Sequence, residues 1–241
     1  MLLSSDMGFR AIDRKNAKLP MMMSNIRIFA TALVAAALIA APAQAGRILG
    51  HFSDGVYSNP QKIFNVRSPF PGEPAILDGI DPDNNGAGAV SFIDEGGRLL
   101  GILYMNNQIK NDEEIKPEEM RDWFRETGFP KFFKVSLPNA EILRDEPGEI
   151  AGQPAWIAIA RLPGGSPLGK IVHGFDEPIH SDSWRGIAIV AHDQRLYLLM
   201  TELRVEALAT PDWKYDVDAA DWNQFLPQLV DLYQRIVFLK Q

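Results

Sequence analysis

Ile187 to Met200 reads IAIVAHDQRLYLLM, two apolar runs parted by Asp193 and Gln194. With those two residues as the loop of a hairpin, Ile187, Ile189 and Ala191 oppose Met200, Leu198 and Leu196, and that face is wholly apolar. The other face sets Ala188, Val190 and His192 against Leu199, Tyr197 and Arg195, apolar in the middle and polar beside the turn. A sheet that is apolar on both faces needs cover on both. A loop longer by one residue mixes these faces, whereas one longer by two leaves them sorted. The expectation is an α/β (α+β) chain: an α/β/α sandwich with a mainly antiparallel sheet and a C-terminal amphipathic helix.

The cover is available downstream. Trp222, Phe225, Leu226, Leu229, Val230, Tyr233, Ile236 and Val237 recur at helical spacing, with Asp231, Gln234 and Arg235 elsewhere on the cylinder. Pro227 marks the first turn of that helix or a kink in it. Upstream, KPEEMRDWFRETGF opens with Pro117 at a helix start and acids in the first turn, where the macrodipole favours them. Met120, Trp123, Phe124 and Thr127 share a face, and Gly128 is placed to stop the helix. Lys131 to Leu137 is ambiguous between helix and strand. EILRDEPGEIAGQPAWIAIARL reads as strand, turn and strand, the second over about 155–162. A further hairpin turns at Gly96-Gly97, with Glu95 facing Arg98, Ile93 facing Leu100 and Ser91 facing Ile102. Its strands run over roughly 88–95 and 98–105. Before it, VYSNPQKIFNVRSPF makes two short strands around Asn59-Pro60.

The N-terminal region carries an export signal. Ile28 to Ala40 is an uncharged apolar run after Arg27, followed by Pro42 and by Ala43-Gln44-Ala45. A short basic region, an apolar stretch and a small-x-small site are the parts of a secretory signal peptide. The run is short of the ~20 residues of a membrane span, so a cleaved signal is preferred to an uncleaved anchor. Residues 1–45 are then leader and signal peptide, cut after Ala45, and 46–241 form a single domain. Translation starts at Met1 or at one of Met21, Met22 and Met23. The mature chain has 19 Lys+Arg against 29 Asp+Glu, a formal charge of −10. That surface repels phosphate backbones, so no nucleic-acid partner is expected. The chain has no cysteine, which excludes disulfides, thiol catalysis, Cys-ligated zinc and a lipidated cysteine anchor.

Two loops hold the candidate site residues. Asp81, Asp83, Asn85 and Gly86 follow the opening of a calcium loop, but the twelfth position, which needs a bidentate carboxylate, is Phe92. Asp94 and Glu95 fall at the far end of the following strand, some ~20 Å away, so Asp78 or a distant carboxylate must complete the site. The competing reading is a turn rich in Asp, Asn and Gly. The second loop, 163–183, has no obvious element, and loops of that length in compact domains are usually functional or mobile. It carries His173, Asp176, Glu177, His180 and Asp182. Of these, His173, Asp176, His180 and Asp182 are the zinc candidates, although no recognised ligand spacing is present. A solvated or partner-contacting loop is the alternative. GGSPLGKI, 164–171, imitates a phosphate-binding loop. It has Ile171 where a hydroxyl should reach magnesium, and Gly174 and Pro178 interrupt the helix it needs. Leu168 stands where a nucleophile elbow around Ser166 needs glycine, and His180-Ser181-Asp182 are merely consecutive. His51 is a lone histidine, and so is His192, which reads as solvated beside its turn.

In the order of its elements the chain resembles the PsbP-like superfamily. The matching pattern is a hairpin ending in proline (YSNPQKIFNVRSP), a strand ending in an acidic turn (AVSFIDEGG) and a helix opened by KPEEMRDWF. The IAIVAHDQRLYLLMTEL hairpin and a closing amphipathic helix complete it. The resemblance implies an α/β/α sandwich and an accessory or binding role. No functional residue is carried over from it.

The sequence therefore points to an exported periplasmic accessory or binding protein without catalytic activity, needing no cofactor. Its partner would be an envelope protein or a small ligand, with no stable membrane insertion once the signal is removed. Its contacts would use loop 163–183 and strand ends near Trp184 and Tyr197, although both aromatics also suit the core. The alternatives are a metal-dependent hydrolase using the 163–183 loop and a calcium-stabilised module using 81–86.

Overall fold

The computed structural model describes residues 48–81, 86–95, 98–106, 115–165, 182–204 and 222–240. The export signal over 1–45 lies outside them. So do Asp83, Asn85, His173, Asp176 and His180. Among the described residues no helix is long and apolar enough to cross a membrane.

Among the described residues, eleven strands and two α-helices follow in the order β1 (His51–Ser53), β2 (Val56–Ser58), β3 (Phe64–Arg67), β4 (Ala75–Ile80), β5 (Gly88–Ile93), β6 (Leu99–Asn106), α1 (Pro117–Trp123), β7 (Glu141–Ile150), β8 (Gln153–Leu162), β9 (Ser183–His192), β10 (Arg195–Arg204), α2 (Trp222–Gln234) and β11 (Ile236–Phe238). The large sheet is seven-stranded and antiparallel throughout, in the order β4-β5-β6-β10-β9-β8-β7. Two meanders, β4 to β6 and β7 to β10, are joined where β10 pairs with β6. The connection through α1 carries the chain from the middle of the sheet to its β7 edge, and so lays a helix on one face. The small sheet, β1-β2-β3-β11, covers the other face together with α2.

The expected two-faced sheet is present. One face packs Leu103, Trp156, Ile187, Ile189 and Leu198 under Met120 of α1 and under Phe124, Phe129 and Phe133, which follow it. The other packs Val90, Ile102, Val190, Tyr197 and Leu199 under Leu229 and Leu232 of α2 and under Tyr57, Phe64 and Val66. Gly186 lets α2 approach closely, since a Cβ there would sit 2.6 Å from the Phe225 Cβ.

The β9–β10 hairpin has the deduced register, with Ala191 opposite Leu196 and Ile187 opposite Met200. Asp193 and Gln194 both adopt positive φ, 45° and 60°, the conformation a two-residue hairpin loop needs to match strand twist. The β5–β6 hairpin differs. Ile93 faces Leu99 and Ser91 faces Gly101, one residue away from the expected register, and the Asp94 N–H donates to Arg98 O at 3.1 Å. Asp94, not Glu95, is the partner of Arg98. Its Oδ1 accepts the Arg98 backbone N–H at 2.8 Å and its Oδ2 the Nε at 2.6 Å. Both faces of this hairpin are apolar, so patterning did not oppose the slip, and the aspartate's grip on the turn decided it.

Three helical expectations need correction. Gly128 does not stop α1. The chain continues through wide π-helical turns over Phe124–Gly128 and Pro130–Lys134, settling the 131–137 ambiguity as mostly helical. Gly128 serves instead as a bare seat for the Trp123 and Phe124 rings, and Pro130, which lacks an N–H, fits where the ladder widens. Thr127 is exposed and takes no part in the apolar face. Near the C-terminus, Ile236 and Val237 belong to β11, paired with Val66 and Asn65, not to the helix. Pro227 lies inside α2, beyond its first turn.

Candidate functional site

The two loops singled out above sit at opposite ends of the large sheet. The 81–86 loop joins β4 to β5 at the end closed by the Ala151-Gly152 and Asp193-Gln194 turns. The 163–182 segment joins β8 to β9 at the other end, beside the β5–β6 turn and the end of β10. Asp81 and Asp182 therefore cannot share one ion.

At the first end, the Asp81 N–H donates to Ala87 O at 3.0 Å, continuing the β4–β5 ladder by one residue, and the side chain is only 1% exposed. Burial lowers the Lys131 ammonium, an effect that the charge of Asp81 opposes. Asp78, the carboxylate considered for completing a calcium site, is already committed. Its Oδ1 accepts the Leu49 N–H at 2.9 Å, and its Oδ2 accepts the Gly50 N–H at 2.7 Å and the Tyr57 hydroxyl at 2.8 Å. It fastens the start of the small sheet to β4. Nearby, the Tyr104 hydroxyl donates to Gln61 Oε1 at 3.0 Å, and burial pushes its phenol up to about 12. Tyr57 is raised by burial and then by Asp78, and Tyr197 chiefly by burial. His192 is half-buried, not solvated, because its ring stacks on Phe238 with centroids 3.8 Å apart.

At the second end Asp182 is the one zinc candidate within the described residues, and both of its oxygens are engaged. Oδ2 accepts Arg161 Nε at 2.9 Å and Nη2 at 2.6 Å, and Oδ1 accepts the Gly164 N–H at 3.0 Å. The Gly164 N–H, followed by Arg161, holds this carboxyl below the ordinary aspartate range. Arg161 also reaches Glu141 at 3.3 Å. Gly164 and Gly165, the first residues of the phosphate-loop lookalike, take positive φ as a turn leaving β8, and the Gly165 N–H donates to Leu162 O. The arrangement is a clasp: a carboxylate on the returning chain accepts from a side chain and a backbone N–H of the outgoing chain, directly beyond the Leu162–Ser183 pair.

At the same end of the sheet, but on its α1 face, Arg185 and Glu202 stand opposite each other on β9 and β10 and form an ion pair, each side chain 3% exposed. The Arg185 guanidinium lies over the Phe133 ring, 5.5 Å from its centroid. One Glu202 oxygen and the buried Ser183 hydroxyl have no hydrogen-bond partner among the described residues. Sequence reading missed this pair, although its signal was present: two steps outward from the Ile187–Met200 match, the same register brings these opposite charges together. The Arg161–Asp182 bond spans 21 residues between two strands and had no such signal. Trp184 and Tyr197 are core residues. Trp184 packs with Ile159, Leu203 and Phe225, and Tyr197 meets Phe64 and Phe238 edge-on.

The fold is similar to that of cyanobacterial PsbP (CyanoP) from Synechocystis sp. PCC 6803, at 12% identity and a TM-score of 0.44, covering 80% of this chain and 98% of that one. A solved protein of Bacteroides thetaiotaomicron VPI-5482 is also similar, at 7% identity and a TM-score of 0.39, covering 79% of this chain and half the length of that one. No family model and no curated protein matches the chain.

Proposed function

We propose that this is an exported periplasmic accessory or binding protein that acts by holding a partner, without catalysis, and that the segment between β8 and β9 is its contact. The observation that carries the reading is the Asp182 clasp. Arg161 and Gly164 tie the base of that segment to the seven-stranded sheet. A loop presented on a fixed scaffold is where binding residues concentrate. The candidate partner is an envelope protein or a small ligand.

The test replaces residues 166–181 by a short Gly-Ser linker and repeats crosslinking in the native envelope. The expected result is loss of the captured partner with an unchanged melting temperature; a partner still captured by the loopless chain rejects the reading. Amino-terminal sequencing of the exported protein should begin at Gly46, and a chain beginning at Met1 rejects the export half of the proposal. Metal analysis of protein purified without chelator separates the other classes. Stoichiometric zinc would favour a hydrolase built on His173, Asp176, His180 and Asp182, and calcium a module built on Asp81, Asp83 and Asn85.

A further inference from the structure

The two edges of the seven-stranded sheet are guarded very differently. An exposed edge strand offers unpaired backbone N–H and C=O groups to any passing strand, and soluble proteins block it with charges, proline, bulges or short length. β7 carries all but the last of these. It has a bulge between Ile142 and Arg144, Pro147 in its run, and the charges Arg144, Asp145, Glu146 and Glu149. Arg144 pairs with Glu146, and Asp145 with Arg125 of the helical segment above. The edges of the small sheet, β1 and β11, are three residues each.

β4 has none of this. Its sequence is AILDGI, with no bulge, no proline and no lysine. Its one charge, Asp78, is held on the small-sheet face by three donors. Ile80 is exposed, and the space beside Gly79 is open. Among the described residues β5 is its sole strand partner.

We propose that β4 is a self-association edge: two copies of this chain pair β4 with β4, antiparallel, about a two-fold axis, joining their seven-stranded sheets into one. The strand's own composition selects the occupant. Recognition of a foreign extended peptide needs pockets for its alternate side chains, whereas the space beside Gly79 is open and Ile80 is exposed. An identical strand is complementary to it. Opposed residues in a continuous sheet must share a face, so the axis passes through Leu77 or through Asp78. The second choice sets two carboxylates against each other, which destabilises a cross-strand pair. The first sets Leu77 against the Leu77 of the second copy, Ala75 against Gly79, small against small, and Ile76 against Asp78, whose carboxylate is already held by three donors. Pro74, just before the strand, offers no N–H and limits the pairing at that end.

The chain has no cysteine, so an introduced one reports cleanly. With Leu77 on the axis, its Cα atoms in the two copies stand about 4.5–5.5 Å apart, within the range a disulfide spans. Purified protein is expected to have the mass of a dimer by light scattering. Leu77→Cys should form a disulfide-linked dimer under mild oxidant, while Leu143→Cys, on the guarded β7 edge, should not. Gly79→Lys places a charge beside the edge in open space, and should give a folded monomer with an unchanged far-ultraviolet circular dichroism spectrum. A monomeric wild type at every concentration overturns the proposal. So does a Leu77→Cys chain that crosslinks no faster than Leu143→Cys, or a dimer that survives Gly79→Lys.

Discussion

The two ends of the large sheet solve the problem of buried polarity in different ways. At the end closed by tight turns, polar groups are matched by hydrogen bonds to phenols, an amide and one carboxylate: Tyr57 to Asp78, Tyr104 to Gln61. At the end that emits the 163–182 segment, the polarity is full charge, Arg185 with Glu202 inside and Arg161 with Asp182 at the rim. A hydroxyl left alone costs the value of a hydrogen bond, whereas a buried charge left alone costs several times more. The two ends should therefore respond very differently to the loss of one partner.

The largest difference lies in the buried pair. Arg185→Met leaves the Glu202 carboxylate enclosed without its cation, and should cost about 3–5 kcal/mol. Adding Glu202→Leu should recover most of that loss. Urea unfolding of the single and double variants measures it, and a double variant less stable than the single would break the comparison.

At the tyrosine end, Asp78→Ala strands two amides and a hydroxyl and should cost about 1–3 kcal/mol. Exchange of the Leu49 and Gly50 amides should accelerate more than that of the β9 and β10 amides. The same end sets an alkaline limit. Its phenols are raised in the fold, Tyr104 to about 12, so each favours the neutral form. Below the ordinary value near 10 they contribute fully. Above it the unfolded chain releases protons first, and stability should fall as pH rises through the folded values. Absorbance titration of the folded protein should show Tyr104 ionising late.

The smallest effect belongs to the rim. Asp182→Asn removes a partly exposed ion pair and should cost no more than about 1 kcal/mol. Because the Asp182 carboxyl is lowered in the fold, its contribution is present above about 3.9 and fades as pH falls through its folded value. Wild type and Asp182→Asn should therefore converge in melting temperature in acid. A constant gap down to low pH would assign the clasp's stability to shape and not to charge.

The two hairpins show what could be read in advance. In β9–β10 the polar residues beside the turn and the two-residue loop agreed, so the register was legible out to Met200 and implied the Arg185–Glu202 match beyond it. In β5–β6 both faces are apolar, and an opposite-charge pair existed in either register. Asp94 prevailed because its short side chain also reaches the Arg98 backbone N–H. Of the site candidates, Asp182 was named as a zinc ligand, and its engagement with Arg161 depends on β8 and β9 being neighbours. The C-terminal apolar spacing of Ile236 and Val237 fits a helix as well as it fits β11, and the vacancy beside β3 chose between them.

By itself the sequence determined the class of fold, because a strand apolar on both faces has no stable state without layers above and below it. It also determined the tight turns, which need residues that tolerate positive φ, and the cysteine-free, acidic character of the surface. Only the tertiary structure decided the register of β5–β6, the addition of β11 to the small sheet and the carboxylates to which Arg161 and Tyr57 bond. Those choices rest on which strands and side chains arrive next to each other, and local spacing along the chain carries no record of that.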